Sequence, residues 1–154
     1  MAGIRLRMHM PHGYQQFNSN THFIDTGSPH YVEFLEEREV DAVEIGKEGA
    51  AARHDPRFAP GGTNANFVQA NASDRIAIRT FERGVEGETL SCGTGVTACA
   101  YIHLLRQELS DGIITIETPG GLLEVEVQHR GSKDEKVFLT GPTARVFSGI
   151  YLAS

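Results

Sequence analysis

Cysteine is nearly absent from the 154-residue sequence, which holds two, Cys92 and Cys99. Seven residues apart within one turn-plus-helix unit, they are poorly placed for a disulfide. Free thiols suit a reducing compartment, so a cytoplasmic location is expected. No Cys/His spacing matches a structural zinc site, and the seven histidines are dispersed, so no metal is expected. No apolar stretch is long enough to span a bilayer, and the N-terminus lacks a signal-peptide core. Basic charge is also lacking. The formal net charge is −6, and basic residues are scattered apart from "RLR" at Arg5 to Arg7. This balance argues against nucleic acid or an anionic membrane as partner. There is no internal repeat, coiled coil or low-complexity tract. What remains is the composition of an ordinary globular domain with enough mass to bury a core.

Residues 1–21 read as an irregular N-terminal segment with a short strand at 4–9, ahead of a domain over 22–154. "HFIDT" (22–26) and "HYVEFLE" (30–36) read as strands broken by Gly27-Ser28-Pro29. Residues 41–54 read as an amphipathic helix and 55–62 as a loop. In "DRIAIRTFER", Ile76, Ile78 and Thr80 alternate with Arg75, Ala77 and Arg79, as in a half-buried strand. "IITIETPGGLLEVEVQ" (113–128) reads as a hairpin turning at Pro119-Gly120-Gly121. "KVFLT" and "ARVFSGIYL" supply two further strands. The run from Gly95 is apolar on almost every side, which marks a buried helix over 95–109. Many strands with hairpin connections and one enclosed helix predict an α+β domain, a mostly antiparallel, curved sheet wrapped around that central helix.

Cys92 sits in the turn "SCGTG" that opens this helix. The unpaired N–H groups and positive dipole of a helix N-terminus favour a thiolate. The glycines allow close backbone approach, and the amides of Cys92, Gly93 and Thr94 suit an anion such as a carboxylate. Glu82 and Arg83, at a strand end, offer charges complementary to those of an amino acid. By residue type alone other readings stand beside these. Cys92 also fits a small buried hydrophobe, Glu82 and Arg83 a solvated strand end, His30 a hydrogen-bonded turn histidine, and Asn64 a strand-start residue. Cys99, in mid-helix, reads as core.

"FERGVEGETLSCGTGVTACA" resembles a signature of the diaminopimelate epimerases, which are cofactor-independent amino-acid epimerases. "DTGSPHYVEF", "RHDPRFAPGGTNANFV", "ETPGGLLEVEV" and "FLTGPTARVFSG" follow in that family's order and spacing, over roughly residues 22–150. "CGTG" alone is shared with proline racemases and hydroxyproline epimerases; the ordered set is specific.

The resemblance implies interconversion of LL- and meso-diaminopimelate, in lysine and cell-wall biosynthesis, without a cofactor. One thiolate removes the Cα proton and a second thiol returns one on the opposite face. It further implies that Cys92 is a catalytic cysteine and that Gly93 and Thr94 present amides to the substrate carboxylate. Glu82 and Arg83 contact substrate, Glu82 and His30 tune the thiols, and Asn64 holds the distal end. Ser28 stands where many members carry Asn, also against substrate.

The resemblance covers only the second half of such an enzyme. The first-half signature, a second cysteine in an Asn-Gly-rich turn, is not in this sequence. Cys99 cannot replace it, since seven helical residues carry it about 10 Å along the axis, into the core. The chain is therefore expected to be inactive without an N-terminal half, on the same or a separate chain, or to imitate that half by homodimerising. The alternatives are another cofactor-independent racemase or epimerase, a non-catalytic binding or assembly module, or a Cys–His hydrolase with His30 as its base.

Overall fold

The computed structural model describes residues 3–151. Its strands are β1 (Ile4–Arg7), β2 (His12–Gln16), β3 (Thr21–Asp25), β4 (Pro29–Phe34), β5 (Asn64–Ala72), β6 (Arg75–Glu82), β7 (Gly87–Thr89), β8 (Gly112–Thr118), β9 (Gly121–Gln128) and β10 (Lys136–Gly141). Two α-helices, α1 (Ile45–Arg53) and α2 (Gly93–Arg106), and two 3-10 turns, Val40–Ala42 and Pro56–Phe58, complete the described elements. The sheet runs β1-β10-β9-β8-β6-β5-β4-β3-β2, with β7 paired to β6. The β4–β5 and β6–β8 pairs are parallel. The other described pairs are antiparallel.

The two-residue period of a strand sorts side chains between two cores. On one face, Ile24, Val32, Phe34, Val68, Ile76, Ile78, Ile114, Ile116, Val125, Val127 and Val137 pack with α2. On the other, Tyr31, Ala65, Phe67 and Phe81 pack with Val40, Val43 and residues of α1. The helix α2 lies against β3, β4, β5, β6, β8, β9 and β10, so the sheet curves round it. Ten successive α2 residues, Gly95 through Leu104, are buried. The expected α+β arrangement, a mostly antiparallel curved sheet around a central helix, is the observed one. No helix among the described residues is long and apolar enough to cross a membrane.

Three segments differ from expectation. The stretch 1–21 carries the short strand expected at 4–9, observed as β1, and a second, unexpected strand, β2; the two form the edges of the sheet. β2 is exposed or half-exposed throughout, so no burial alternation betrays it. The helix expected over 41–54 begins at Ile45. Before it, Val40–Ala42 form a 3-10 turn and Val43 is extended, which buries Val40 and Val43 against the second core. The expected strand "ARVFSGIYL" pairs with nothing over residues 144–151, where Val146, Phe147, Ile150 and Tyr151 are exposed. Its last residue, Leu152, lies outside the described residues, as do 1–2 and 153–154 of the two expected segments. Strand propensity alone does not make a strand; a partner edge must supply the ladder.

Close packing between α1 and β6 gives a test. A Cβ at Gly49 would stand 2.4 Å from Phe81 Cβ. Ala in place of Gly ordinarily gains about 1 kcal/mol in a helix, but overpacking costs about 1–3 kcal/mol. Gly49→Ala is expected to lower stability, read as a lower midpoint in urea unfolding.

Candidate active site

Three strand ends and the start of α2 meet at one point. β4 begins at Pro29, the parallel β5 begins at Asn64, and the antiparallel β6 ends at Glu82. In register, His30 lies beside Asn64, and Asn66 beside Thr80. His30 shares its strand face with Val32 and Phe34, Asn66 with Val68, and Thr80 with Ile76 and Ile78, all residues of the α2 core. The same alternation sets Glu82 on the α2 face at the end of β6, and Arg83 opens the turn that follows.

Cys92 is the N-cap of α2, with extended dihedrals of φ −123° and ψ 111°. The N–H groups of the first helical turn, at Gly93, Thr94 and Gly95, have no partner within the helix. Cys92 is 8% exposed and Cys99 is 0% exposed, and both are free thiols. Burial pushes the Cys99 thiol up, and the neighbouring Cys92 adds to the effect, so Cys99 stays protonated in the core.

The turn between β3 and β4 docks onto that helix start. Asp25 Oδ1 accepts the Gly27 N–H at 2.8 Å, and the Thr26 hydroxyl donates to the Thr94 carbonyl at 2.8 Å. Gly27 has φ +109°, a conformation that favours glycine. Ser28 and His30 are thereby brought to Thr94. Ser28 Oγ lies 3.0 Å from both His30 Nε2 and Thr94 Oγ1. His30 Nε2 lies 2.9 Å from Thr94 Oγ1, which lies 3.5 Å from Cys92 Sγ. Asn64 Nδ2 donates to the Pro29 carbonyl at 2.9 Å and to Ser28 Oγ at 3.4 Å. Asn64 Oδ1 accepts the Arg83 backbone N–H at 2.9 Å.

Ser28, His30, Asn64, Cys92 and Thr94 thus form one hydrogen-bonded cluster, with Gly93 in the same helical turn. Arg83 joins it through its backbone, while its side chain lines an adjacent cavity of about 530 Å³ with Pro29, Phe23, Phe58 and Gly62. Glu82 is half-exposed at the strand end, and its carboxylate stands outside this hydrogen-bonded cluster. Arg53, the last residue of α1, reaches two neighbouring turns: its Nη1 donates to the Gly61 carbonyl at 3.2 Å and its Nε pairs with Glu86 at 3.0 Å.

Sequence reasoning missed Asn66, Thr80 and Thr26, all buried. A signal was present for two of them. Asn66 follows Asn64 at strand spacing, and Thr80 continues the buried face of Ile76 and Ile78. Among the described residues, no group of three or more His, Cys, Asp or Glu side chains could hold a metal ion.

Residues 22–146 match the diaminopimelate epimerase family. The chain belongs to that family. The diaminopimelate epimerase of Hydrogenobaculum sp. (strain Y04AAS1) is 45% identical over 130 residues, which are 84% of this chain and 45% of the relative. That of Aquifex aeolicus is 44% identical over 127 residues, 82% of this chain and 44% of the relative. That of Chlorobaculum tepidum is 35% identical over 150 residues, 95% of this chain and 57% of the relative. The chain spans about half the length of the diaminopimelate epimerases it matches. A solved structure from Pseudomonas aeruginosa, described as a predicted epimerase, shares the fold with a TM-score of 0.51 at 14% identity, covering 85% of this chain and 40% of that one.

Two predictions follow from this geometry. Cys92 is expected to react with iodoacetamide much faster than Cys99 in the folded protein, because Cys99 is sealed in the core. Peptide mapping after brief labelling decides it. The second concerns acid. Burial drives the His30 imidazole down to about 4, with the Asp25 carboxylate opposing and the Arg83 guanidinium reinforcing the shift. Burial likewise brings His22 to about 4, reinforced by Arg106. Both rings are neutral when folded and take up protons near pH 6.5 when unfolded. Stability is therefore full above about pH 6.5, falls as pH drops towards about 4, and loses nothing further from these groups below that. Thermal unfolding from pH 8 to pH 4 measures the slope, and His30→Asn is expected to flatten it.

Proposed function

We propose that the chain is the Cys92-bearing, C-terminal half of a cofactor-independent diaminopimelate epimerase, completed by a second half that carries the opposing cysteine. The observation that supports this reading most is the placement of Cys92 at the start of the buried helix α2, beside Thr94, Ser28, His30 and Asn64. Family membership supplies the reaction class, and the substrate is taken from the names of the relatives.

In this reading the Cys92 thiolate removes the α-proton from one face of the amino acid. The electron pair of the broken C–H bond stays on Cα, beside the substrate carboxylate. The opposing thiol then delivers its proton to the other face, so that one thiolate is consumed and one formed. In the reverse direction Cys92 is the donor. The free amides of Gly93 and Thr94 hold the α-carboxylate, where added negative charge develops. Glu82, on the α2 face, and His30 adjust the thiol pair. Asn64 holds the distal end of the substrate, Glu82 and Arg83 also contact it, and Ser28 contacts it from the β3–β4 turn. Closure by the second half excludes water, which strengthens each of these interactions.

Alone, the chain is expected to exchange no α-proton of diaminopimelate at an enzymatic rate, because one thiol serves a single face and the site stays wet. A separately expressed N-terminal half from a matching enzyme is expected to restore activity. In that mixture Cys92→Ala abolishes epimerisation, while Cys99→Ala keeps it and costs about 1 kcal/mol of stability. Deuterium uptake at Cα in heavy water, read by NMR, with chiral separation of the products, measures both. Robust epimerisation by the chain alone would refute the need for a second half, and rescued activity surviving Cys92→Ala would refute the role of Cys92.

A further inference from the structure

Behind the site, Asn66 and Thr80 lie side by side on β5 and β6, and no part of the reading above uses them. We infer that Asn66, oriented by Thr80, is a positioning residue that fixes the His30 ring with its proton on Nε2, so that a directed line of hydrogen bonds ends at the Cys92 sulfur.

The direction of each bond follows from what each atom can do. The Tyr31 carbonyl oxygen only accepts, so the Asn66 atom 2.8 Å from it is the amide nitrogen. The other arm of the amide is then the oxygen, and it accepts the Thr80 hydroxyl at 3.0 Å. The same amide nitrogen lies 3.1 Å from His30 Nδ1. An amide nitrogen only donates, so Nδ1 accepts and carries no proton. A neutral ring then holds its proton on Nε2. A second proton on Nδ1 would set N–H against N–H where both residues are 0% exposed. Beyond the ring, Nε2–H faces the Thr94 oxygen at 2.9 Å and the Ser28 oxygen at 3.0 Å. Ser28 also receives Asn64 Nδ2 at 3.4 Å. Ser28 Oγ, already accepting from Asn64, is free to give its own O–H to Thr94 Oγ1 at 3.0 Å, and in that arrangement Thr94 turns its O–H towards Cys92 Sγ, 3.5 Å away. Each donor from Thr80 onward points towards the sulfur.

The backbone leaves room for this line at one point in particular. A Cβ at Gly95 would stand 2.6 Å from Asn66 Oδ1 and 3.4 Å from Cys92 Sγ. The second glycine of "CGTG" therefore clears space for Asn66.

The assignment of the ring stands on geometry alone; its effect on turnover rests on the function proposed above. The test is imidazole nitrogen NMR on the chain labelled with ¹⁵N-histidine, with His30 identified by loss of its signals in His30→Asn. The expected signature at pH 7 is a neutral ring protonated at Nε2. A proton on Nδ1, or a charged ring, would overturn the inference. Asn66→Asp keeps the shape but offers an acceptor to Nδ1, so the ring proton is expected to move to Nδ1 or the ring to become charged. Persistence of the Nε2–H form in a folded Asn66→Asp protein would also overturn it. Thr80→Ser, which keeps the hydroxyl, is expected to leave the signature unchanged. If Asn66→Asp fails to fold, the spectrum of the unsubstituted chain still decides. In the two-half mixture, Asn66→Asp is expected to slow Cα exchange about tenfold. The expected ring signature with no exchange in any mixture would remove the epimerase reading and uphold the ring assignment.

Discussion

Ten consecutive residues of α2 are shielded from water on every side, and the sheet has its shape because of them. A helix with no polar face cannot lie on a surface. It must be enclosed, and enclosure by a single sheet requires that sheet to curve. At the N-terminus the first N–H groups carry no side-chain cap. The polar residues of the β3–β4 turn and of the β4 start gather there through the carbonyl and hydroxyl of Thr94. The core and the candidate site thus share one element, an apolar helix whose N-terminal turn is held by polar contacts to Thr94.

The fold was legible where burial imposes a period. The alternation of Ile76, Ile78 and Thr80, and that of the 113–128 hairpin, gave β6, β8 and β9 because one face of each meets α2. The exposed edge β2 left no such trace, since residues such as Gln15 and Gln16 face water whichever way the chain runs. The start of α1 was misplaced for another reason. Val40 and Val43 are buried by tertiary packing at positions that helical spacing also fits.

The site was legible in its chemistry more than in its wiring. A cysteine in a glycine-rich turn before an all-apolar run is a local signal, and it located the helix start. The gathering of Ser28, His30 and Asn64 depends on a parallel pairing between segments more than thirty residues apart, which no local pattern announces. The roles of the glycines also shifted. Sequence reasoning gave them all to close approach by a ligand, whereas Gly95 makes way for Asn66 and the cysteine sulfur.

Arg53 gives α1 a purpose that its weak apolar face does not. This helix buries little of itself, Gly49 being its one fully buried residue, yet its last side chain spans the 59–62 loop and the turn that holds Glu86. Gly62, at φ +68°, leaves room for that guanidinium. The 59–62 loop lines the cavity beside Arg83, and the second turn begins at Arg83 itself. One planar cation at the end of a surface helix therefore ties together two segments that meet at that opening.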